Sequence, residues 1–435
     1  MKSFKTAIRI NLFAIVCILF YTIHAGAAIE GISGTNFNLT AKNGEISTPD
    51  GGNYLFWGFA NGNGLVQYPG PTMIVNQGQT ITVTLNNNIT VTQGARPNVS
   101  IVFPGFNVTA VGGVDGILTK EAVPSGTVTY SFKAENPGTY TYYSGTDSGL
   151  QIEMGLVGTL IVRPAMGSGY AYNHADTAFD REFLFFLSEM DPRVHEMVET
   201  FGPDLVDTTD YLANYRPVVW FMNGRAAPDT MAENDVAWLP HQPYNCFPRM
   251  HPGEKLLMRV VGGGRDIHPL HHHGNHAKVI AREGRMLSSG PGAGPDYGYG
   301  VFTIQSQPGS TVDAIFTWTG KGIGWDIYGD AGSHTCTPGP DGLDPVSFED
   351  CSDHGKPIPV TLPGQAEVAF GGFYSGSPFL GGVDALPPGE GGLNPNGGFS
   401  FMWHSHTEKE MVNYDIFPGG MLTMIIIEAS TVTID

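Results

Sequence analysis

Short stretches of alternating polar and apolar residues, each closed by turn formers, recur along this chain and restrict it to β-structure. Thr80-Ile81-Thr82-Val83-Thr84-Leu85 puts its three apolar side chains on one face, because successive side chains of a strand point to opposite sides. Val128–Phe132 and Gly158–Val162 are further runs, and Asn86-Asn87-Asn88 and Pro137-Gly138 are turn signals. Gly and Pro number 59 and 31 among 435 residues, which suits many tight turns. That share stays below the ~25–30% of low-complexity sequence. A hydrophobic content of 41% can fill a real core, so a disordered chain is excluded. Charged residues reach only 14%, and no long helical stretches of the coiled-coil type occur. The expectation is an all-β protein.

The first residues stand outside that pattern. Lys2, Lys5 and Arg9 are followed by an apolar run over 10–21 and by the small residues Ala25-Gly26-Ala27-Ala28. This order reads as a secretory signal peptide over residues 1–28. The run is shorter than the ~20 residues a membrane span needs. The mature chain is therefore expected to be secreted, periplasmic or extracellular, with no membrane partner after cleavage. Loss of the three basic residues takes the formal charge from −19 to −22. So acidic a chain is not expected to bind nucleic acid or anionic membranes.

Residues 30–163 read as one all-β domain and 164–179 as a linker. A second domain starts near Arg181-Glu182-Phe183-Leu184-Phe185-Phe186 and fills 180–435. Within it, about 330–398 is rich in Gly, Pro and Asp and reads as a long loop insertion. Cys336 and Cys351 flank part of that loop and are expected to pair, since export permits oxidation. Cys246 then remains as a buried, unreactive thiol.

Histidine gathers in two places, His268-Pro269-Leu270-His271-His272-His273-Gly274-Asn275-His276 and Trp403-His404-Ser405-His406. Residues two apart share a strand face, so His271 and His273 point together, as do His404 and His406. Two such pairs on adjacent strands bring four imidazoles to one point, a donor set suited to copper, zinc, iron or nickel. Crowded imidazoles are also expected to release a metal as pH falls through ~6.5, where an ordinary histidine protonates. Glu408 and Glu410 follow closely. No Ser-His-Asp signature, phosphate loop or Rossmann glycine pattern is present.

At these motifs the chain resembles the multicopper oxidases. Tyr68-Pro69-Gly70-Pro71-Thr72, Gly78–Val83, Pro137-Gly138-Thr139-Tyr140 and Gly155–Val162 are similar to the family's first cupredoxin domain. His268–Gly274 is similar to its H-P-x-H-x-H-G motif, and Trp403–His406 to its last H-C-H motif. The resemblance implies two cupredoxin-like Greek-key β-sandwich domains. It implies that His268 corresponds to a type 1 copper ligand, His271 to the type 2 ligand, and His273, His404 and His406 to type 3 ligands. The departures are equally specific. The first domain's two His-x-His pairs fall on Val102-Phe103-Pro104 and Tyr143-Ser144-Gly145. Ser405 stands where type 1 copper needs Cys, and Glu410 where it needs its second His.

The resemblance therefore implies a secreted metalloprotein with copper, one or two ions, or else zinc. The metal ligands expected are His268, His271, His273, His404, His406 and Glu410. Whether it is an enzyme is open, and no catalytic residue is assigned. An activity would be that of a copper-dependent oxidoreductase, but not a complete four-copper laccase, because a hydroxyl and a carboxylate cannot replace the soft thiolate. The competing reading is a non-catalytic structural or assembly protein on a cupredoxin scaffold, as a homo-oligomer, surface layer, filament or complex.

Overall fold

The computed structural model describes residues 29–205, 213–329, 331–357, 376–377, 398–429 and 432–434. The expected signal peptide lies outside the described residues, as does most of the expected insertion 330–398. Among the described residues, no helix is long and apolar enough to cross a membrane.

The fold is all-β, as expected. Residues 32–163 form a four-stranded sheet facing a six-stranded one. The alternation over 80–85 has the anticipated effect. In the strand Thr80–Asn87, Ile81, Val83 and Leu85 are fully buried, while Thr82 and Thr84 face outward and meet Ser131 and Thr129 of the neighbouring strand. The buried face pairs in register with Val128, Tyr130 and Phe132, and Met73, Val75, Leu160 and Val162 close the core from the opposite sheet.

Residues 181–427 form a second pair of sheets, seven-stranded and six-stranded. The strand Arg181–Met190 carries an unbroken apolar run because both of its faces are covered, which removes any need for alternation. Phe185 and Leu187 enter the core between the two sheets. Leu184 and Phe186 point the other way and pack with Phe56, Tyr68 and Val157 of the first sandwich. Residues 164–179 are packed down rather than strung between the sandwiches. Ala171 and Tyr172 are buried against Leu257 and Ile280.

A charged network crosses the same contact. Arg259 is fully buried; its Nε donates to Glu182 Oε2 at 2.9 Å and its Nη1 to Thr139 Oγ1 at 2.9 Å. Glu182 also pairs with Arg163, and Asp313 accepts from Thr139 and from Tyr172, both at 2.6 Å. Burial alone would raise the Glu182 carboxyl, but Arg259 and Arg163 outweigh it and hold it below the usual range. Every member has a partner of opposite charge or a donor, the condition under which buried ions are tolerated. Arg163 and Thr139 belong to the first sandwich and Arg259, Glu182 and Asp313 to the second, so the network fixes how the two sit together.

Two helices are short. Pro192–Phe201 begins as its sequence suggests: the Asp191 side chain accepts from Arg193 N, Pro192 takes the first helical position, and Gly202 ends the helix at φ 80°.

Candidate metal centre

The strands His268–His272 and Phe399–Ser405 are antiparallel neighbours, with His271 directly opposite His404. Cross-strand partners of this kind share a face, so the register alone brings these two rings together. His273 lies just past the end of its strand. Gly274 follows at φ 107°, a conformation that turns the chain there and that side-chain-bearing residues avoid. Trp403 Nε1 donates to the His273 carbonyl at 2.9 Å and anchors that turn.

The result is a compact imidazole cluster. His273 Nε2 and His404 Nε2 are 3.1 Å apart. His271, His273 and His404 each offer a ring nitrogen within 4.8 Å of the other two. His406 is exposed at the rim, its ring centroid 4.7 Å from that of His271. Two of the rings are oriented by partners at their other nitrogen. His271 Nδ1 meets Thr303 Oγ1 at 2.9 Å, and His404 Nδ1 donates to the Ser405 carbonyl at 2.7 Å. Such partners fix the tautomer and turn the Nε2 lone pair inward.

Two of these rings, His271 and His404, are held neutral. Burial and the neighbouring histidines pull His271 down to about 3, and burial followed by His406 pulls His404 below its ordinary value. The expected protonation near pH 6.5 is thus corrected for His271. Desolvation disfavours the charged ring far more than the isolated side chain suggests. Three converging imidazoles are a donor set that fits a copper or zinc ion. His272, between two members of the cluster, faces the core instead, packed on Phe316 and Trp403.

His268 and Glu410 do not join this cluster. Both nitrogens of the buried His268 are engaged, Nδ1 with Glu410 Oε2 at 3.0 Å and Nε2 with Glu189 Oε2 at 2.7 Å. Burial opposes a charge on this ring, but the two carboxylates prevail and raise it to about 9. A ring that donates from both nitrogens has no lone pair for a metal. Glu410 Oε2 accepts a second hydrogen bond, from Ser405 Oγ at 2.6 Å. Hydrogen bonds continue inward: Tyr215 Oη lies 3.1 Å from Glu189 Oε1 and 2.7 Å from Glu153 Oε2. Sequence reasoning missed Glu189, Tyr215 and Glu153, which are remote from the motifs and carry no signal of their own. The clefts near Glu30 and Tyr244 are lined by none of the cluster histidines.

The sequence matches the family model described as multicopper oxidase over residues 46–166. It is 27% identical over 260 residues to copper resistance protein A of Escherichia coli, covering 53% of this chain and 39% of that protein. It is 32% identical over 144 residues to an L-ascorbate oxidase of Cucurbita maxima, covering 31% and 23% of the two chains. Two solved structures share the fold across most of the chain. The multicopper oxidase mgLAC has a TM-score of 0.52 at 18% identity, covering 92% of this chain and 87% of that one. A blue copper oxidase from Nitrosomonas europaea has a TM-score of 0.52 at 17% identity, covering 90% and 85%. These matches support a divergent member of the multicopper oxidase family. The sandwiches are accordingly cupredoxin-like. The matches span well under half the length of these curated relatives.

Within the multicopper oxidase frame, the altered positions have become packing. Val102-Phe103-Pro104 and Tyr143-Ser144-Gly145 still lie side by side, with Val102 N donating to the Tyr143 carbonyl at 2.8 Å. Phe103 has become part of an aromatic cluster with Phe132, Tyr130 and Tyr142. The residues that the resemblance assigns to the type 1 position, His268, Ser405 and Glu410, form a buried hydrogen-bonded network with Glu189. Cys246 offers no substitute thiolate, being buried in the second core, where desolvation pushes its thiol far up. Met421 is also a core residue.

Proposed function

We propose that this chain is an exported, oxidase-like copper protein that holds copper at His271, His273 and His404, with His406 at the rim. One observation carries the reading: three imidazoles from two adjacent strands bring ring nitrogens within 4.8 Å of one another. A copper ion there would supply a redox-active centre with an open position for oxygen or a small anion. The Ser405 carbonyl holds His404 in one tautomer, Thr303 orients His271, and burial keeps these two rings unprotonated. No blue electron-entry centre accompanies this site, because Ser405 and Glu410 are hydrogen-bonded to each other and His268 is held as a cation. The protein is therefore not a complete four-copper oxidase. The Cys336–Cys351 disulfide supports export, since such bonds persist in oxidising compartments.

Copper analysis of the purified full chain tests this reading, beside H271A, H404A and the control H241A. Wild type and H241A are expected to retain copper after dialysis and the two cluster variants to lose it. A wild-type chain that takes up no copper but assembles normally would establish the scaffold reading instead.

A further inference from the structure

Among the described residues there is a second meeting of ligand-type side chains, in the segment that follows the second-sandwich core. Asp326, His334, Glu349 and His354 each bring one ligand atom within 4.8 Å of the others. The segment is anchored at both ends. Trp325, next to Asp326, stacks on Phe399 of the core. The Cys336–Cys351 disulfide closes the loop, with a Cα–Cα distance of 5.5 Å. His334 precedes the first half-cystine by two residues. Glu349 precedes the second by two, and His354 follows it by three. Backbone groups hold the remaining carboxylate: Asp326 Oδ2 accepts from Gly355 N at 2.8 Å and Oδ1 from Tyr328 N at 2.9 Å.

The distances discriminate between two ways of satisfying these groups. Charged histidines paired with carboxylates would sit at about 2.7–2.9 Å. Only one pair does so, His354 Nδ1 with Glu349 Oε1 at 2.7 Å. The others are longer: His334 Nε2 to Glu349 Oε2 at 3.3 Å, His334 Nε2 to Asp326 Oδ2 at 3.5 Å, and His354 Nδ1 to Asp326 Oδ2 at 3.6 Å. Donors placed ~2.0–2.2 Å from a tetrahedral zinc ion are separated from one another by about 3.3–3.6 Å. Glu349 adds an independent sign. Its side chain is 1% exposed, and its Oε2 accepts no hydrogen bond. A buried acceptor left without a donor is disfavoured, and more so when it is charged.

We propose that Asp326, His334, Glu349 and His354 bind a structural zinc-type divalent ion that ties the disulfide loop to the second sandwich. Two carboxylates neutralise the ion, two imidazoles complete four-coordination, and the set leaves no thiolate to compete with the disulfide. The site shares no residue with the imidazole cluster, so it stands or falls separately.

The test uses the full chain, stripped with chelator, then loaded with zinc and dialysed. Zinc is counted in wild type, in H271A/H404A, which removes the imidazole cluster, and in that double variant carrying E349Q or H354Q as well. H271A/H404A is expected to keep about one zinc equivalent, to gain thermal stability on zinc addition, and to show tetrahedral absorption bands with cobalt(II). E349Q and H354Q, which preserve side-chain size, are expected to lose all three responses. Absence of zinc uptake and of cobalt bands in the folded H271A/H404A protein would overturn the proposal, as would undiminished zinc in E349Q. Because the first of these readouts needs no change in the loop, misfolding of a loop variant does not blunt the test.

Discussion

His268 donates from Nδ1 to Glu410 Oε2 across 3.0 Å at the position where a blue copper centre would need two metal-binding histidines. One exchange explains the other. Once the second ligand position carries a carboxylate, the remaining histidine gains an anionic partner on one side and Glu189 on the other, at 2.7 Å. The ring then serves best as a cation. Glu189, His268, Glu410 and Ser405 thus form a buried hydrogen-bonded network beside the histidine cluster.

That network sets a pH dependence. His268 titrates at about 9 in the folded chain and near ~6.5 when unfolded, so its contribution is complete below ~6.5 and is lost as pH rises through about 9. The difference in urea midpoint between wild type and H268N is expected to be large at pH 6 and to shrink by pH 10. A difference that does not change with pH would mean that the ring is not the charged partner.

Copper-loaded protein is expected to lack intense blue absorption. Introducing S405C alone should not create it, because His268 remains protonated between Glu189 and Glu410. A strong thiolate-to-copper band in the unmodified protein would show that the buried Cys246 reaches the metal. Visible spectroscopy of both proteins decides the matter.

Arg259 is a fully buried charge that pairs with two carboxylates. R259M removes one of the two arginines that pair with Glu182 and takes the cation from Asp313, in a buried contact between the sandwiches. Breaking a buried ion pair from one side costs about 3–5 kcal/mol. Chemical denaturation should show a loss of that order. A loss under about 1 kcal/mol would mean that water reaches the network.

His272 separates the two faces of its strand. Its Nε2 lies 3.1 Å from Ala277 N and 3.0 Å from the Val301 carbonyl, inside the core. H272L is expected to lower stability by about 1–3 kcal/mol through the unmet backbone groups. Its copper content should equal that of wild type. Copper loss in a well-folded H272L protein would place this ring in the site and refute the assignment of faces.

The all-β class was legible because a period of two is a local property of the chain, as Ile81, Val83 and Leu85 show. The paired faces of His271 with His273 and of His404 with His406 were legible for the same reason, and so was the pairing of Cys336 with Cys351 across its loop. The missing first-domain imidazoles and the missing thiolate were plain from Val102-Phe103-Pro104, Tyr143-Ser144-Gly145 and Ser405. What the sequence could not disclose was where long-range partners land. His268 and Glu410 carry ligand-type side chains, and only the fold shows them turned toward each other and toward Glu189, which lies far away in the chain. His334, Glu349 and His354 were visible beside the half-cystines, but their convergence with Asp326 depends on how the loop lies against the core. Composition and spacing determine which groups a strand or loop can present. Which of them meet, and whether a nitrogen keeps its lone pair or gives its proton to a carboxylate, is decided by the burial and proximity that only the packed sheets impose.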